Sequence, residues 1–463
     1  MERSPMSTAD GPIPAYQAKP HPRIAMVVFN QMHYDTRVIR EAQAAMAAGA
    51  TVRVFAFGGR YAGRYPVGLA EVDGVEVDRL PVLTLVALAG PILGLLGRLR
   101  KRRGTASVEQ SAEAATATPA NAPEFVMPSV PRPLAWAVRE AMRFDKVLRQ
   151  CAFWFRGVRA VRAWRPDLIH AHDANTLMVV GCAARSLKVP FVYDSHELWT
   201  QRNIATSRPI ASRLEGPMER YWIRRAAGVI TVSDSIAHWL QDKYGLTTTP
   251  SLVRNIPPLT GSMPPRSAGR LRELAGLGPD TSVIVYCGSI TTNRGIERGI
   301  EALPFLADNI HLVMLGPGSA PQLKELDALA HHLNVAARVH PVGIVPSEQV
   351  SGAMADADVS LVLTRPVVLS YAFSLPNKLF ESLHAGIPVL VSDTPDAAAL
   401  VREYGLGEVL KNDAAPEEAA AIISRMMANA GDYRGNAEKA AQDLNWQREL
   451  RKLLATHEAA LGG

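Results

Sequence analysis

One pattern constrains this chain more than any other. Short apolar runs alternate with amphipathic stretches, the rhythm stops at a Pro/Gly/Ser-rich segment, and then it starts again. RIAMVVF at residues 23–29 reads as a buried strand, DTRVIREAQAAMAAG as a helix ending at Gly49, and TVRVFAF as the next strand. DLIHAH, PFVYDS, GVITVS and PSLVRN follow, separated by helical stretches. Alternation of this kind predicts a parallel sheet with helices on both faces. After NIPPLTGSMPPRSAG come SVIVYCG, HLVMLG, RVHPVG, DVSLVL and PVLVSD, again with helices between them. Linkers concentrate Pro, Gly and Ser, which places a domain boundary near Leu259. The expected fold class is α/β, with two doubly wound, Rossmann-like parallel-sheet domains, 23–258 and 259–440, facing a cleft. Residues 1–22 read as a flexible tail and 104–130, low in large apolar groups, as a disordered insertion. Residues 441–463 read as a terminal amphipathic helix that crosses back to the first domain.

Charge narrows the class of partner. The chain carries 50 Lys and Arg against 44 Asp and Glu, a net charge of +6 that suits anionic partners. Arg98, Arg100, Lys101, Arg102 and Arg103 follow the apolar run LPVLTLVALAGPILGLLG. Residues 132–165 mix nine basic residues with Trp136, Phe144, Phe153, Trp154, Phe155 and Trp164. Neither cluster forms a nucleic-acid motif, so no nucleic-acid partner is expected. The apolar run is long enough to consider as a membrane span. A span there would leave strands of one sheet on opposite sides of the membrane, and Gly90, Pro91, Gly94 and Gly97 break the run in two. An interfacial segment, 80–103, on an anionic membrane surface fits better, its basic groups contributing about 1 kcal/mol each. The N-terminus has no apolar core of a secretory signal. Cys151, Cys182 and Cys287 are odd in number and far apart, which suggests neither a disulfide framework nor a zinc site. A cytoplasmic protein, peripheral on the inner face of the membrane, is expected.

Doubly wound sheets bind ligands at the carboxyl ends of their strands. NQMHYDTR, after the first strand, contains no glycine, so a GxGxxG fingerprint is absent and a nicotinamide dehydrogenase is disfavoured. HAHD ends a strand, and strand alternation puts His170 and His172 on one face. With Asp173, and with His196 and Glu197 of DSHE, they suggest a second chemistry, a metal-dependent hydrolase. Packing of one histidine and hydrogen bonding by the other is the plainer reading. Asp356 and Asp358 sit where a helix end runs straight into a strand, a setting for structural rather than ligand-binding carboxylates.

SLPNKLFESLHAGIPVLVSD, residues 374–393, is the strongest local constellation. Pro376 suits a helix start and Gly386 a helix stop, with a strand following. A helix N-terminus at a strand's carboxyl end favours phosphate, and Asn377 and Lys378 stand there. Glu381, three residues beyond Lys378, has a carboxylate suited to a ribose diol. CGSITTNRG is a second phosphate candidate, with Gly288, Ser289 and the forked donors of Arg294.

DTRVIREAQAAMAAG, DLIHAHD, VYDSHELW, GVITVSDS, VRNIP, YCGSITTNRGIERGIEAL, VHPVG and LPNKLFESLHAGIPVLVSD fall in order over residues 23–410. In these stretches the sequence resembles the GT-B glycosyltransferases, most closely glycosyltransferase family 4. The resemblance implies a nucleotide sugar held by the C-terminal half, a glycan or lipid-linked acceptor on the N-terminal half, and retention of anomeric configuration. It matches Glu381 to the ribose-binding glutamate, Arg294 to the lysine of a basic pair near the diphosphate, and His172 to a histidine beside the transferring sugar. Two positions depart from the family pattern. Phe373 stands where a sugar-contacting glutamate is expected, and Ser289 where the arginine of the basic pair is expected. Lys378 can supply the missing charge. Asp35 and Arg37, where the family has an acceptor-loop glycine run, join His196 and Glu197 as acceptor-side candidates. The implied enzyme is a retaining hexosyltransferase that needs no metal or other cofactor, working in envelope or exopolysaccharide synthesis. A catalytically weak nucleotide-sugar binding protein is the further alternative, motivated by Phe373 and Ser289.

Overall fold

The computed structural model describes residues 13–32, 35–59, 65–82, 132–202, 209–259 and 262–463. The expected insertion, and the apolar–basic segment beyond residue 82, lie outside the described residues. The strands form two sheets of α/β type. By compactness the chain divides into Lys19–Phe191 on one hand and Met1–Ala18 with Val192–Gly463 on the other. That division falls inside a strand of the first sheet, whereas the Pro-rich stretch near Leu259 lies between the last strand of the first sheet and the first of the second.

The unit Lys19–Phe191 holds β1 (Arg23–Val27), α1 (Thr36–Ala47), β2 (Thr51–Gly58), β3 (Gly68–Val72), β4 (Val75–Pro81), α2 (Arg132–Trp164), β5 (Leu168–His172) and α3 (Leu177–Leu187). Its strand order is β3-β4-β2-β1-β5. β1 and β5 are buried almost throughout, as expected of strands covered on both faces. The chain leaves β1 toward β2 on one side and reaches β5 on the other, so the carboxyl ends of β1 and β5 form a switch point. The sheet is not wholly parallel: β3 pairs antiparallel with β4. This hairpin was not expected. Asp73 and Gly74 turn it with positive φ (49° and 80°), the backbone a tight two-residue hairpin requires. The apolar run therefore begins inside a strand, Leu80 and Pro81 belonging to β4.

The second unit opens with the remaining strands of that sheet, β6 (Phe191–Ser195), β7 (Gly228–Thr231) and β8 (Ser251–Leu252), with helices α4 (Pro209–Ile223) and α5 (Asp234–Tyr244). A six-stranded parallel sheet follows, from β9 (Ser282–Cys287), β10 (Ile310–Leu315), β11 (Val339–Gly343), β12 (Val359–Val362), β13 (Val389–Ser392) and β14 (Gly407–Leu410). Its order, β11-β10-β9-β12-β13-β14, puts a switch point between β9 and β12. The helices with it are α6 (Leu271–Ala275), α7 (Ile296–Ala302), α8 (Ala320–His332), α9 (Val350–Met354), α10 (Leu369–Ala372) and α11 (Asn377–Ala385). After these come α12 (Pro395–Tyr404), α13 (Pro416–Ala428), α14 (Ala430–Ala440) and the terminal α15 (Trp446–Gly462). Apolar clusters lie on both faces of the sheet, one built around Ile284, Leu312 and Leu361 and another around Val283, Val285 and Val313.

The acidic pair is structural. Asp358 takes Arg266 at 2.7 Å and Arg272 at 3.0 Å and accepts from the Val283 amide, while Asp356 accepts from the Leu271 and Arg272 amides at the start of α6. Helix α15 is capped by Asn445, which accepts from the Arg448 amide, and it packs against β7 and β8. The approach is close: a Cβ on Gly228 of β7 would lie 2.6 Å from Thr456. Residues 14–18 were expected to be part of a loose tail. Instead Tyr16 is buried, with its hydroxyl 3.0 Å from His457 Nδ1, and the Gln17 and Ala18 amides donate to Glu458.

Candidate active site

Around the β9–β12 switch point the second unit gathers most of the expected donor residues. β9 ends at Cys287, and Gly288 turns the chain with φ +116°. The neighbouring loop comes very close, since a Cβ on Gly316 would stand 2.0 Å from the Gly288 carbonyl oxygen. Gly295, φ +74°, sits just before α7, where a Cβ would be 2.0 Å from the Leu363 carbonyl oxygen. The 288–295 loop is thus pressed onto the carboxyl end of β12. Within it Tyr286 donates to the Ser289 carbonyl at 2.7 Å, and Arg294 Nε donates to Thr291 Oγ1 at 3.3 Å.

Helix α11 starts at Asn377 after Pro376 and ends at Gly386, in the left-handed conformation that suits a helix stop. Leu379, Phe380 and Leu383 anchor it in the core. That anchoring fixes where Lys378 and Glu381 fall. Lys378 is buried with its ammonium 4.3 Å from the centre of the Tyr286 ring. Glu381 Oε2 accepts from the Cys287 thiol at 3.4 Å, joining two residues 94 positions apart. Arg294 lies over the Tyr371 ring, 5.1 Å from its centre.

Burial pushes the Lys378 amine down to about 7, and the neighbouring Arg294 guanidinium pushes the same way, against the smaller opposing effects of Cys287 and Glu381. Burial, reinforced by the Glu381 carboxylate, raises the Cys287 thiol well above its usual range. The thiol therefore stays protonated as a donor to Glu381. The cluster sets the Arg294 guanidinium beside an amine that titrates near neutral pH, and a bound anion would favour the amine's charged form.

Glu197 and His196 follow β6 in the same unit. His196 Nε2 is 2.9 Å from Asp194, and Glu197 accepts from Ser370 of α10 at 3.4 Å. Phe373 is tied down through its backbone, its carbonyl accepting from Ser233 Oγ at 2.7 Å. The segment 370–373 thus reaches both Glu197 and, through Tyr371, Arg294. Sequence reasoning did not single out Tyr286, Tyr371 or Ser370. Tyr286 had one usable signal, its place two residues before the Gly288 turn.

The remaining candidates lie in the unit Lys19–Phe191. Asp35 caps α1, accepting from the Val38 amide and from Asn30 Nδ2 at 2.7 Å. Arg37 is buried and ion-paired with Glu41 at 3.0 Å. Glu41 Oε2 is 3.7 Å from His170 Nε2, and the His170 and His172 rings stack at 4.4 Å on the shared face that alternation predicts. Among the described residues, Glu41, His170 and His172 bring ligand-type atoms within 4.8 Å of one another. All three are fully buried, and Arg37 already neutralises the carboxylate. The backbone turns sharply after His172, with Asp173 at φ +63° and Thr176 Oγ1 donating to the His172 carbonyl at 3.0 Å.

Comparison with known proteins decides the family. The pattern described as Glycosyltransferase Family 4 matches residues 114–258, and that described as Glycosyl transferases group 1 matches residues 270–444. The chain belongs to the GT-B glycosyltransferases, in glycosyltransferase family 4. Over 244 residues this glycosyltransferase is 28% identical to a 2-deoxystreptamine glucosyltransferase of Streptomyces kanamyceticus, covering 50% of this chain and 61% of that one. Over 329 residues it is 26% identical to a D-inositol 3-phosphate glycosyltransferase of Geodermatophilus obscurus, covering 67% and 71%. In fold it resembles a sucrose-phosphate synthase of Thermosynechococcus elongatus, at TM-score 0.64, 17% identity and 93% and 96% coverage. It also resembles the Anabaena protein HepE solved with UDP-glucose, at TM-score 0.63, 14% identity and 94% and 99% coverage. These relationships favour the transferase over the metal-dependent hydrolase.

Proposed function

We propose that this chain is a retaining glycosyltransferase that moves a sugar from a nucleotide-diphosphate sugar to a glycan or lipid-linked acceptor in envelope or exopolysaccharide synthesis. The observation that carries the reading is the grouping of Lys378, Arg294, Glu381 and Cys287 at the β9–β12 switch point. A buried amine next to a guanidinium suits a diphosphate, and a carboxylate held by a neighbouring thiol suits a ribose diol. HepE, solved with UDP-glucose, supports a nucleotide sugar as the co-substrate.

In this reading the anomeric carbon–oxygen bond breaks and its electron pair leaves with the diphosphate. The acceptor hydroxyl oxygen bonds to the anomeric carbon on the same face, and its proton passes to the departing phosphate oxygen. Lys378, Arg294 and the amide of Asn377 at the start of α11 stabilise the charge that builds on the leaving group, which requires no divalent ion. His172 is proposed to stand beside the transferred sugar, a role that requires its ring to emerge from its present enclosure. Glu197, His196, Asp35 and Arg37 are proposed for the acceptor side, Asp35 and Arg37 by shaping α1. The segment 80–103 is proposed to hold the protein on the cytoplasmic face of an anionic membrane. A binder with weak turnover is the second reading, favoured by Phe373 at a position where a carboxylate would contact the sugar.

Calorimetric titration of the purified protein with UDP, GDP and ADP, with and without EDTA, tests the reading. Selective binding of one nucleotide that survives EDTA is expected. The absence of nucleotide binding overturns it, and binding without sugar transfer to any lipid-linked or glycan acceptor moves the assignment to the weak binder.

A further inference from the structure

Helix α2 carries a surface that the donor chemistry does not use. One side is firmly seated in its own unit. Phe153 is buried and meets Phe29 edge-on at 5.1 Å, Val161 and Trp164 are buried, and a Cβ on Gly157 would lie 2.9 Å from Val179. Trp154 Nε1 and Gln150 Nε2 both donate to the Asn175 carbonyl, at 2.8 and 2.9 Å. The orientation of the helix about its axis is therefore set.

The other side follows by geometry. Phe144, Val147, Cys151 and Phe155 are spaced by three, four and four residues, so they form one stripe on a helix, roughly opposite Phe153 and Trp164. Phe144 is 59% exposed, Val147 52% and Phe155 67%, and Cys151 is exposed as well. Two exposed phenylalanines and a valine in line are unusual for a soluble surface and mark a contact site.

Charge identifies the occupant. The helix sequence holds eight basic residues and two acidic ones, a local excess equal to the +6 of the whole chain. Arg159 and Arg162, four and seven residues beyond Phe155, are exposed and continue the stripe, and Arg159 lies over the Phe155 ring at 5.7 Å. Aromatic side chains flanked by exposed arginines suit the boundary between acyl chains and anionic headgroups, where rings bury and cations stay with phosphate. An anionic lipid surface uses both features.

We infer that the Phe144–Val147–Cys151–Phe155 stripe of α2 is a docking surface that lies in the interface of an anionic phospholipid membrane. This rests on the proposed membrane-facing acceptor and names a part of the protein, separate from residues 80–103, that meets the lipid. The stripe would seat the enzyme in the plane of the membrane, and the donor site would take no part in binding lipid.

The test is flotation of the full-length protein with phosphatidylcholine vesicles, with or without 30% phosphatidylglycerol. The unmodified protein is expected to float with anionic vesicles only, and to be released by salt. Phe144→Ser/Val147→Ser/Phe155→Ser should lose at least tenfold in partitioning, and Arg159→Glu/Arg162→Glu should lose a similar amount. Both variants should retain nucleotide binding, since no substituted residue touches the donor site. In a Cys182→Ala background, a polarity-sensitive fluorophore on Cys151 should shift to the blue when anionic vesicles are added. Flotation of the triple variant at the unmodified level, or flotation without a spectral shift, overturns the proposal. So does failure of the unmodified protein to float. A change in molar mass by light scattering on substituting the stripe, with flotation intact, would make it a contact between two copies and also overturn the proposal. Loss of nucleotide binding with stripe-dependent flotation intact would instead overturn the donor reading alone.

Discussion

Lys378 sits beside a second cation, and burial is the larger reason that its amine is pushed down to about 7. In the unfolded chain a lysine titrates near its usual 10.5, so between about pH 7 and 10.5 the unfolded state holds a proton that the folded state has released. This group's contribution to stability therefore rises with pH across that window. Diphosphate binding should respond in the opposite sense, because an anion favours the charged amine. Nucleotide affinity is expected to fall as pH rises from 7 to 9, with proton uptake visible as a buffer-dependent calorimetric enthalpy. Lys378→Gln should flatten that profile, and a profile that stays steep in the variant would assign it to another group. Glu381 gives a second prediction. Hydrogen bonds to a charged group contribute ~1.5–3 kcal/mol, so Glu381→Ala should weaken nucleotide binding by roughly 10- to 150-fold. Unchanged affinity in a folded variant would remove Glu381 from the ribose role. The charge on residues 378 and 381 was visible in the sequence, but the pairing of Glu381 with Cys287 was not, because β9 and α11 meet only in the folded sheet.

At the scale of elements, the loop between β9 and α7 depends on one close approach. Gly295 has φ +74°, and a Cβ there would be 2.0 Å from the Leu363 carbonyl oxygen. Gly295→Ala combines left-handed backbone strain with overlap against main chain, a cost on the order of 3 kcal/mol. A thermal midpoint lowered by several degrees is expected, along with weaker nucleotide binding because Arg294 moves with the loop. An unchanged midpoint would show that β12 gives way easily. Most elements were legible from apolar periodicity, as in β1, β5, β9 and α11. The β3–β4 hairpin was not, because GLAEVDGVEVDRLP alternates valine with acidic residues on a solvent-facing edge and forms no apolar run. Its Asp73–Gly74 turn was the available signal.

At the scale of the whole chain, α15 closes the second unit onto strands that precede the Pro-rich stretch. Glu449 is buried there, accepting from the Arg254 amide at 2.8 Å and from Lys452 Nζ at 2.8 Å, with the Arg254 guanidinium 3.8 Å away. Lys452 and Arg254 retain access to solvent, so removing the carboxylate costs less than breaking a fully enclosed pair. Glu449→Ala should lower stability by on the order of 2 kcal/mol, measured as a lower midpoint in urea. A midpoint within error of the unmodified protein would mean that apolar packing of Trp446, Leu450 and Leu453 alone holds α15.

By itself the sequence determined the α/β class, the restart of the rhythm after the Pro-rich stretch, and the chemistry offered by residues 374–393. These are local properties: side-chain period, turn residues and charge at a helix start can be read within a window of ten or twenty positions. Tertiary structure decided the rest. It turned Arg37 inward onto Glu41, set Lys378 against Tyr286, and gave Asp356 and Asp358 to arginines that begin the second sheet's domain. It also decided which side of α2 is buried and which stripe faces out. Burial and long-range pairing depend on which elements become neighbours, and no local pattern contains that information.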